Sequence, residues 1–194
     1  MRKIILLVFA LTQLGFYVLN TAAQAETSKQ TKTITTTDFY QLNYKTLEGK
    51  PFAFKDLKGK AILFVNTASQ CGFTPQLKEI EDLHQKYSKK GLVILAVPSN
   101  DFKQEKSSSE EILSFAKKEY KVSFTFLEKQ KITGAEKTDL FKYLTEAKTN
   151  LLLKEVKWNF EKFLVDRQGQ VVERWSSPTK PSSDSITQKI ESVL

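Results

Sequence analysis

The sequence predicts one α/β domain built on a central mixed sheet flanked by helices, and three observations predict it. Residues 60–67 and 91–97 are nearly continuous apolar runs of strand length, rich in β-branched side chains, as strands buried on both faces require. Runs with helical apolar spacing stand between and after them, and alternating strand and helix signals mark a sheet with helices packed against it. Hairpin signals at both ends of the domain add antiparallel strands.

Taken in order, residues 39–42 and 52–55 flank Leu47-Glu48-Gly49-Lys50, the turn of an N-terminal β-hairpin. After the 60–67 strand, Thr74 is placed to cap a helix, Pro75 suits its first position, and Leu77, Ile80, Leu83 and Tyr87 make one apolar stripe. The 91–97 strand stops at Pro98. Ser107 and Ser108 precede Glu110 and Glu111 by three residues, a capping box for a helix that turns Ile112, Leu113, Phe115 and Ala116 inward. A short strand at 124–127 and a helix at 138–147 follow. Strands at 160–166 and 171–175 meet through Gly169, and a helix at 182–194 closes the chain with Ile186, Ile190 and Val193. No repeat or linker interrupts residues 39–194, so they form one domain.

Composition sets the limits. The 194 residues are 40% hydrophobic and 27% charged, an ordinary globular balance with formal charge +8. Met1-Arg2-Lys3, the apolar residues 4–19 and the small residues of Ala23-Gln24-Ala25 read as a signal peptide over 1–25. That apolar run is shorter than the roughly 20 residues a spanning helix needs. The expectation is an exported protein, periplasmic or secreted, with residues 26–38 as a Thr- and Lys-rich flexible leader. Without Arg2 and Lys3 the charge is +6, which suits solubility and weak attraction to an anionic membrane. No arginine cluster or aromatic-basic motif points to nucleic acid.

One cysteine and one histidine exclude an intramolecular disulfide and a four-ligand structural zinc site. His84 lies in a helical run with no nucleophile motif beside it and reads as a half-buried helix residue. Cys71 is more informative, because it falls in the short loop between a buried strand and the helix that Pro75 opens. Open α/β folds place reactive groups there, and the N–H groups of the helix start favour a thiolate. In an oxidising compartment a lone cysteine is a reactive thiol, a partner for another molecule or a buried bystander.

The segment Gly59-Lys-Ala-Ile-Leu-Phe-Val-Asn-Thr-Ala-Ser-Gln-Cys-Gly-Phe-Thr74 resembles the active-site segment of the glutathione peroxidase family. Leu95-Ala-Val-Pro-Ser-Asn-Asp-Phe102 is similar to that family's second motif and Lys157-Trp-Asn-Phe-Glu-Lys-Phe-Leu-Val-Asp166 to its third, in the same order. The resemblance runs from about Phe39 to the C-terminus. It implies a thioredoxin fold and reduction of hydrogen peroxide and organic or lipid hydroperoxides, an antioxidant activity. It also implies Cys71 as the peroxidatic residue and Gln104, Trp158 and Asn159 as its tetrad partners, with no cofactor or metal and an external thiol such as glutathione as co-substrate. Neutral amide and indole donors can hold a thiolate without burying a second charge.

The chain also departs from the family. Related sequences read like Asn-x-Phe-Gly-x-Gln-Glu-Pro-Gly, whereas Asn100-Asp-Phe-Lys-Gln-Glu-Lys106 is one residue shorter and lacks the glycine and the Pro-Gly, so matching Gln104 requires a gap. Ser99 and Ala116 stand where other members carry a second cysteine. A one-cysteine enzyme recycled from outside is implied. The short segment 145–156 resembles the monomeric, phospholipid-hydroperoxide branch. Two other readings stay open at this stage: a redox sensor that forms a mixed disulfide, and a thioredoxin-fold binding protein whose site the shortened loop has disabled.

Overall fold

Chain order in the computed structural model, which describes residues 35–146 and 154–194, begins with the short helix α1 (Thr36–Phe39). The signal-peptide reading, most of the leader and part of segment 145–156 lie outside the described residues. Thr35 and Asp38 cap α1 reciprocally, so residues read as the end of a leader form its first turn. Phe39, expected in a strand, is instead fully buried at the end of this helix, because its ring packs on the sheet face and the capping pair sets the backbone. The hairpin follows as β1 (Asn43–Lys45) and β2 (Pro51–Ala53), antiparallel with Tyr44 opposite Phe52. A 3₁₀ turn over Phe54–Leu57 replaces the strand end expected at 54–55.

The remaining elements are β3 (Ala61–Thr67), α2 (Gln76–Tyr87), β4 (Leu92–Pro98), α3 (Ser109–Tyr120), β5 (Thr125–Phe126), α4 (Asp139–Glu146), β6 (Lys162–Val165), β7 (Val171–Trp175) and α5 (Asp184–Glu191). The main sheet has the order β5-β4-β3-β6-β7. β3 is parallel to β4 and antiparallel to β6, so it is central and every one of its residues is buried. Its alternation divides the core. Ala61, Leu63 and Val65 join the cluster that holds the apolar stripes of α2, α3 and α5, while Ile62 and Phe64 join the one that holds α1 and α4. A large side chain fully buried there contributes about 1.5–3 kcal/mol relative to exposure.

Caps explain where helices start. Ser108 and Glu111 form the expected capping box of α3, which buries Ile112 and Ala116 while Leu113 and Phe115 are only partly covered. The expected Thr74 cap is absent: Pro75 occupies the cap position of α2, and the Thr74 hydroxyl turns back toward the preceding loop. The strand expected from residue 160 begins only at Lys162 as β6, because 158–160 form a turn. Phe160 sits at φ +65, left-handed backbone that a strand cannot contain.

This topology places three loops at one end of the sheet. The chain leaves the C-terminal ends of the parallel strands β3 and β4 there, and antiparallel β6 enters beside Val65.

Candidate active site

The loop after β3 presents Cys71, 7% exposed, and is built around Thr74. The Thr74 hydroxyl accepts the Cys71 N–H at 3.1 Å and lies 2.8 and 2.7 Å from the carbonyls of Ala68 and Cys71, which share its single proton. The Phe73 N–H points at the Cys71 sulfur at 3.5 Å, so one backbone donor faces it. Thr74 is thus a loop-building residue rather than a helix cap.

The loop after β4 carries Gln104. Its shortened form closes without Pro-Gly because Asn100 accepts twice, its carbonyl from the Lys103 N–H at 2.9 Å and its side chain from the Glu105 N–H at 3.1 Å. Lys103 takes φ +57, the left-handed conformation at the place where related sequences carry glycine. The result brings Gln104 to the Cys71 loop: its carbonyl accepts the Gln70 N–H at 2.9 Å, and its Oε1 accepts the Asn159 Nδ2 at 2.9 Å across 55 residues of sequence. The amide nitrogen is the donor end of the same side chain.

Glu105 was not singled out by the sequence, and no local pattern marks it. Its Oε1 accepts the Ser69 N–H at 3.1 Å and the Lys106 N–H at 2.7 Å, while Oε2 is buried without a partner. Burial pushes this carboxyl above the ordinary range, against the pull of the Ser69 and Lys106 donors and the Lys129 charge.

The third loop carries Trp158 and Asn159. Asn159 is fully buried, and Trp158, 41% exposed, is the large apolar side chain left open among the described residues, its ring 5.0 Å from that of Phe102. Residue Phe160 beside them is fully buried with positive φ, a strain of order 1–3 kcal/mol that only over-determined surroundings sustain. Those surroundings include the buried Arg174–Glu161 pair at 2.6 Å, whose carboxylate also accepts the Lys157 N–H at 2.5 Å. Asn66 is the other anchor: its Nδ2 donates to the Trp158 carbonyl and its Oδ1 accepts the Glu161 N–H, both at 2.9 Å. The signal that could have found Asn66 is its polarity directly after the apolar run 61–65.

Immediately beyond the turn, Lys162 is fully buried, with its ammonium on the carbonyls of Ser177 at 3.1 Å and Thr179 at 2.6 Å. Burial, opposed by the Glu79 and Glu161 carboxylates, lowers it from 10.5 to about 8. His84 stands apart from this site, beside Phe124 on α2. Among the described residues no cluster of His, Cys, Asp and Glu could hold a metal ion, and no helix is long and apolar enough to cross a membrane. A thiol, a neutral amide pair and an indole carried by loops at one end of the sheet are groups that can attack an electrophile and stabilise a leaving anion.

Known proteins resemble this chain in sequence and in fold. A family model described as glutathione peroxidase matches residues 39–145. The chain is 50% identical over 161 residues to the glutathione peroxidase-like peroxiredoxin 2 of Saccharomyces cerevisiae, covering 82% of this chain and 98% of that protein. It is 42% identical over 162 residues to a hydroperoxy fatty acid reductase of Synechocystis sp., covering 80% and 95%. Among solved structures, the T. cruzi GPX1 crystal structure superposes with TM-score 0.63 at 27% identity, over 80% of this chain and 95% of that one. A thioredoxin-family thiol:disulfide interchange protein from Chlorobium tepidum, at 14% identity and TM-score 0.59 over 78% and 92%, shares the fold.

Proposed function

This chain belongs to the glutathione peroxidase family, with its thioredoxin fold, and is a peroxidase that takes a hydroperoxide and a thiol reductant; on that premise we propose that Cys71 performs the chemistry through a sulfenic acid, with Gln104, Trp158 and Asn159 as its partners. The Cys71 thiolate attacks the terminal oxygen of ROOH. The S–O bond forms as the O–O bond breaks, sulfur is oxidised by two electrons, and the departing alkoxide takes a proton to leave as ROH. Neutral donors from the Gln104 and Asn159 amides and the Trp158 indole hold the charge on sulfur and on the departing oxygen. The observation that carries this reading is the Gln104–Asn159 bond at 2.9 Å, together with the Gln104 carbonyl on the Gln70 N–H.

Recycling follows from the cysteine count. With Cys71 the only cysteine in the sequence, no internal disulfide can form. A small external thiol such as glutathione attacks the sulfenic sulfur, releasing water and leaving a mixed disulfide, and a second thiol frees Cys71 as the reductant becomes a disulfide. Neither a metal nor an organic cofactor enters these steps. The same reading has the protein exported by its signal peptide to the periplasm or beyond, acting as a monomer. Its exposed Trp158 and basic surface would meet lipid hydroperoxides at an anionic membrane.

Initial rates with hydrogen peroxide and a lipid hydroperoxide test the reading. Cys71→Ser should abolish turnover, and Trp158→Phe, Asn159→Ala and Gln104→Ala should each slow peroxide reduction by about 10²–10³, the value of a lost transition-state donor. Wild-type rates for the three folded variants would overturn the tetrad assignment.

A further inference from the structure

We propose that Asn66 is a positioning residue that holds the Trp158–Asn159 turn against the strand leading to Cys71, an inference that rests on the tetrad reading above. The β3–β6 ladder ends at the Val65–Lys162 pair. Beyond it the chain of the turn departs from strand geometry at Phe160, φ +65, so regular backbone pairing cannot continue.

Asn66 takes over at that point. Its own N–H and carbonyl still meet the Glu161 carbonyl at 3.4 Å and the Phe160 N–H at 2.6 Å. Its side chain adds one donor, to the Trp158 carbonyl, and one acceptor, from the Glu161 N–H. The primary amide has a donor and an acceptor at the two ends of one rigid plane, which is what two peptide groups on either side of a turn require. Asn66 is fully buried and so is the Glu161 N–H bond it accepts, so that donor cannot turn to water instead. It stands on β3 five positions before Cys71 and grips the residues on both sides of Asn159. Its amide thus ties the Trp158–Asn159 turn to β3 alongside the backbone bonds and the Arg174–Glu161 pair.

Aspartate is the informative replacement. Ionised, it keeps the acceptor for the Glu161 N–H but turns an anion on the Trp158 carbonyl; protonated, it restores the donor. The experiment measures the single-turnover rate of Cys71 oxidation by hydrogen peroxide for Asn66→Asp, alone and in a Trp158→Phe/Asn159→Ala background, with folding checked by circular dichroism and urea midpoint. Alone, the variant should react at least about tenfold more slowly than wild type at neutral pH, and its ratio to wild type should recover as the pH falls and the new carboxyl protonates. In the double background the same substitution should change the rate less than about twofold, because the groups it positions are gone. Should Asn66→Asp not fold, Asn66→Ala carries the same cycle without the pH arm. A folded Asn66 variant at the wild-type rate, or a loss that persists undiminished in the double background, overturns the positioning role while leaving the tetrad intact. A Trp158→Phe/Asn159→Ala protein that reacts like wild type removes both readings together.

Discussion

Lys162 offers a stability test whose size the structure supplies. Its ammonium is fully buried, and burial lowers its pKa from 10.5 to about 8. Between those values the unfolded chain binds a proton that the folded protein has released, so stability rises with pH across that window. Below about pH 8 both states carry the proton and the folded state bears the full cost of a buried charge. Each pH unit of that displacement is worth about 1.36 kcal/mol, about 3.4 kcal/mol in full, of which about 2.5 kcal/mol falls between about pH 7 and about pH 10. Lys162→Met removes the titration, and losing the Thr179 contact adds only an offset without pH slope. Urea unfolding of both proteins at four pH values across that range is the assay, since subtracting the variant cancels the tyrosines and the other lysines. The wild-type stability relative to Lys162→Met should climb by about 2.5 kcal/mol. Parallel profiles would refute the lowering of the Lys162 pKa by burial.

Three further outcomes follow from the loops and from α3. Lys103→Gly should raise stability by about 1 kcal/mol in urea unfolding, because glycine accepts the left-handed backbone at φ +57. Lys103→Ala, which keeps the Cβ, should show no such gain. Glu105→Gln should gain stability relative to wild type as the pH rises above the ordinary carboxylate range, because the raised carboxyl makes the folded state hold its proton longer than the unfolded one; thermal unfolding at about pH 4 and about pH 7 checks the sign. Ala116→Cys should acquire thioredoxin-dependent turnover only if α3 opens, because position 116 is 1% exposed in mid-helix and a disulfide needs sulfurs about 2.05 Å apart. A thiol-trap mass showing only sulfinic acid would rule out that route.

Patterns that act over a few residues were legible in the sequence. The runs at 60–67 and 91–97 are strands because a short, nearly continuous apolar run that includes β-branched residues suits a strand buried on both faces, and Ser108 with Glu111 starts a helix by satisfying donors three residues apart. The position of Cys71 between a buried strand and a helix follows from the same local information. What the sequence could not show is which polar group meets which across the chain. Thr74 satisfies a cap pattern yet builds the Cys71 loop, because Pro75 takes over the cap position and Ala68 and Cys71 offer nearer carbonyls. Residues 158–160 carry strand-like residues yet turn, held by Asn66 and by the Arg174–Glu161 pair from another strand. Gln104 reaches Asn159 across a loop whose length argued against it, because Asn100 and a left-handed Lys103 close the loop another way. Sequence by itself determined most of the elements and the place of Cys71 between a strand and a helix, since propensity, periodicity and capping are local energies. Only the tertiary structure decided the company that sulfur keeps, because a buried hydrogen bond is chosen by whichever donor or acceptor the fold brings within about 3 Å when water is gone.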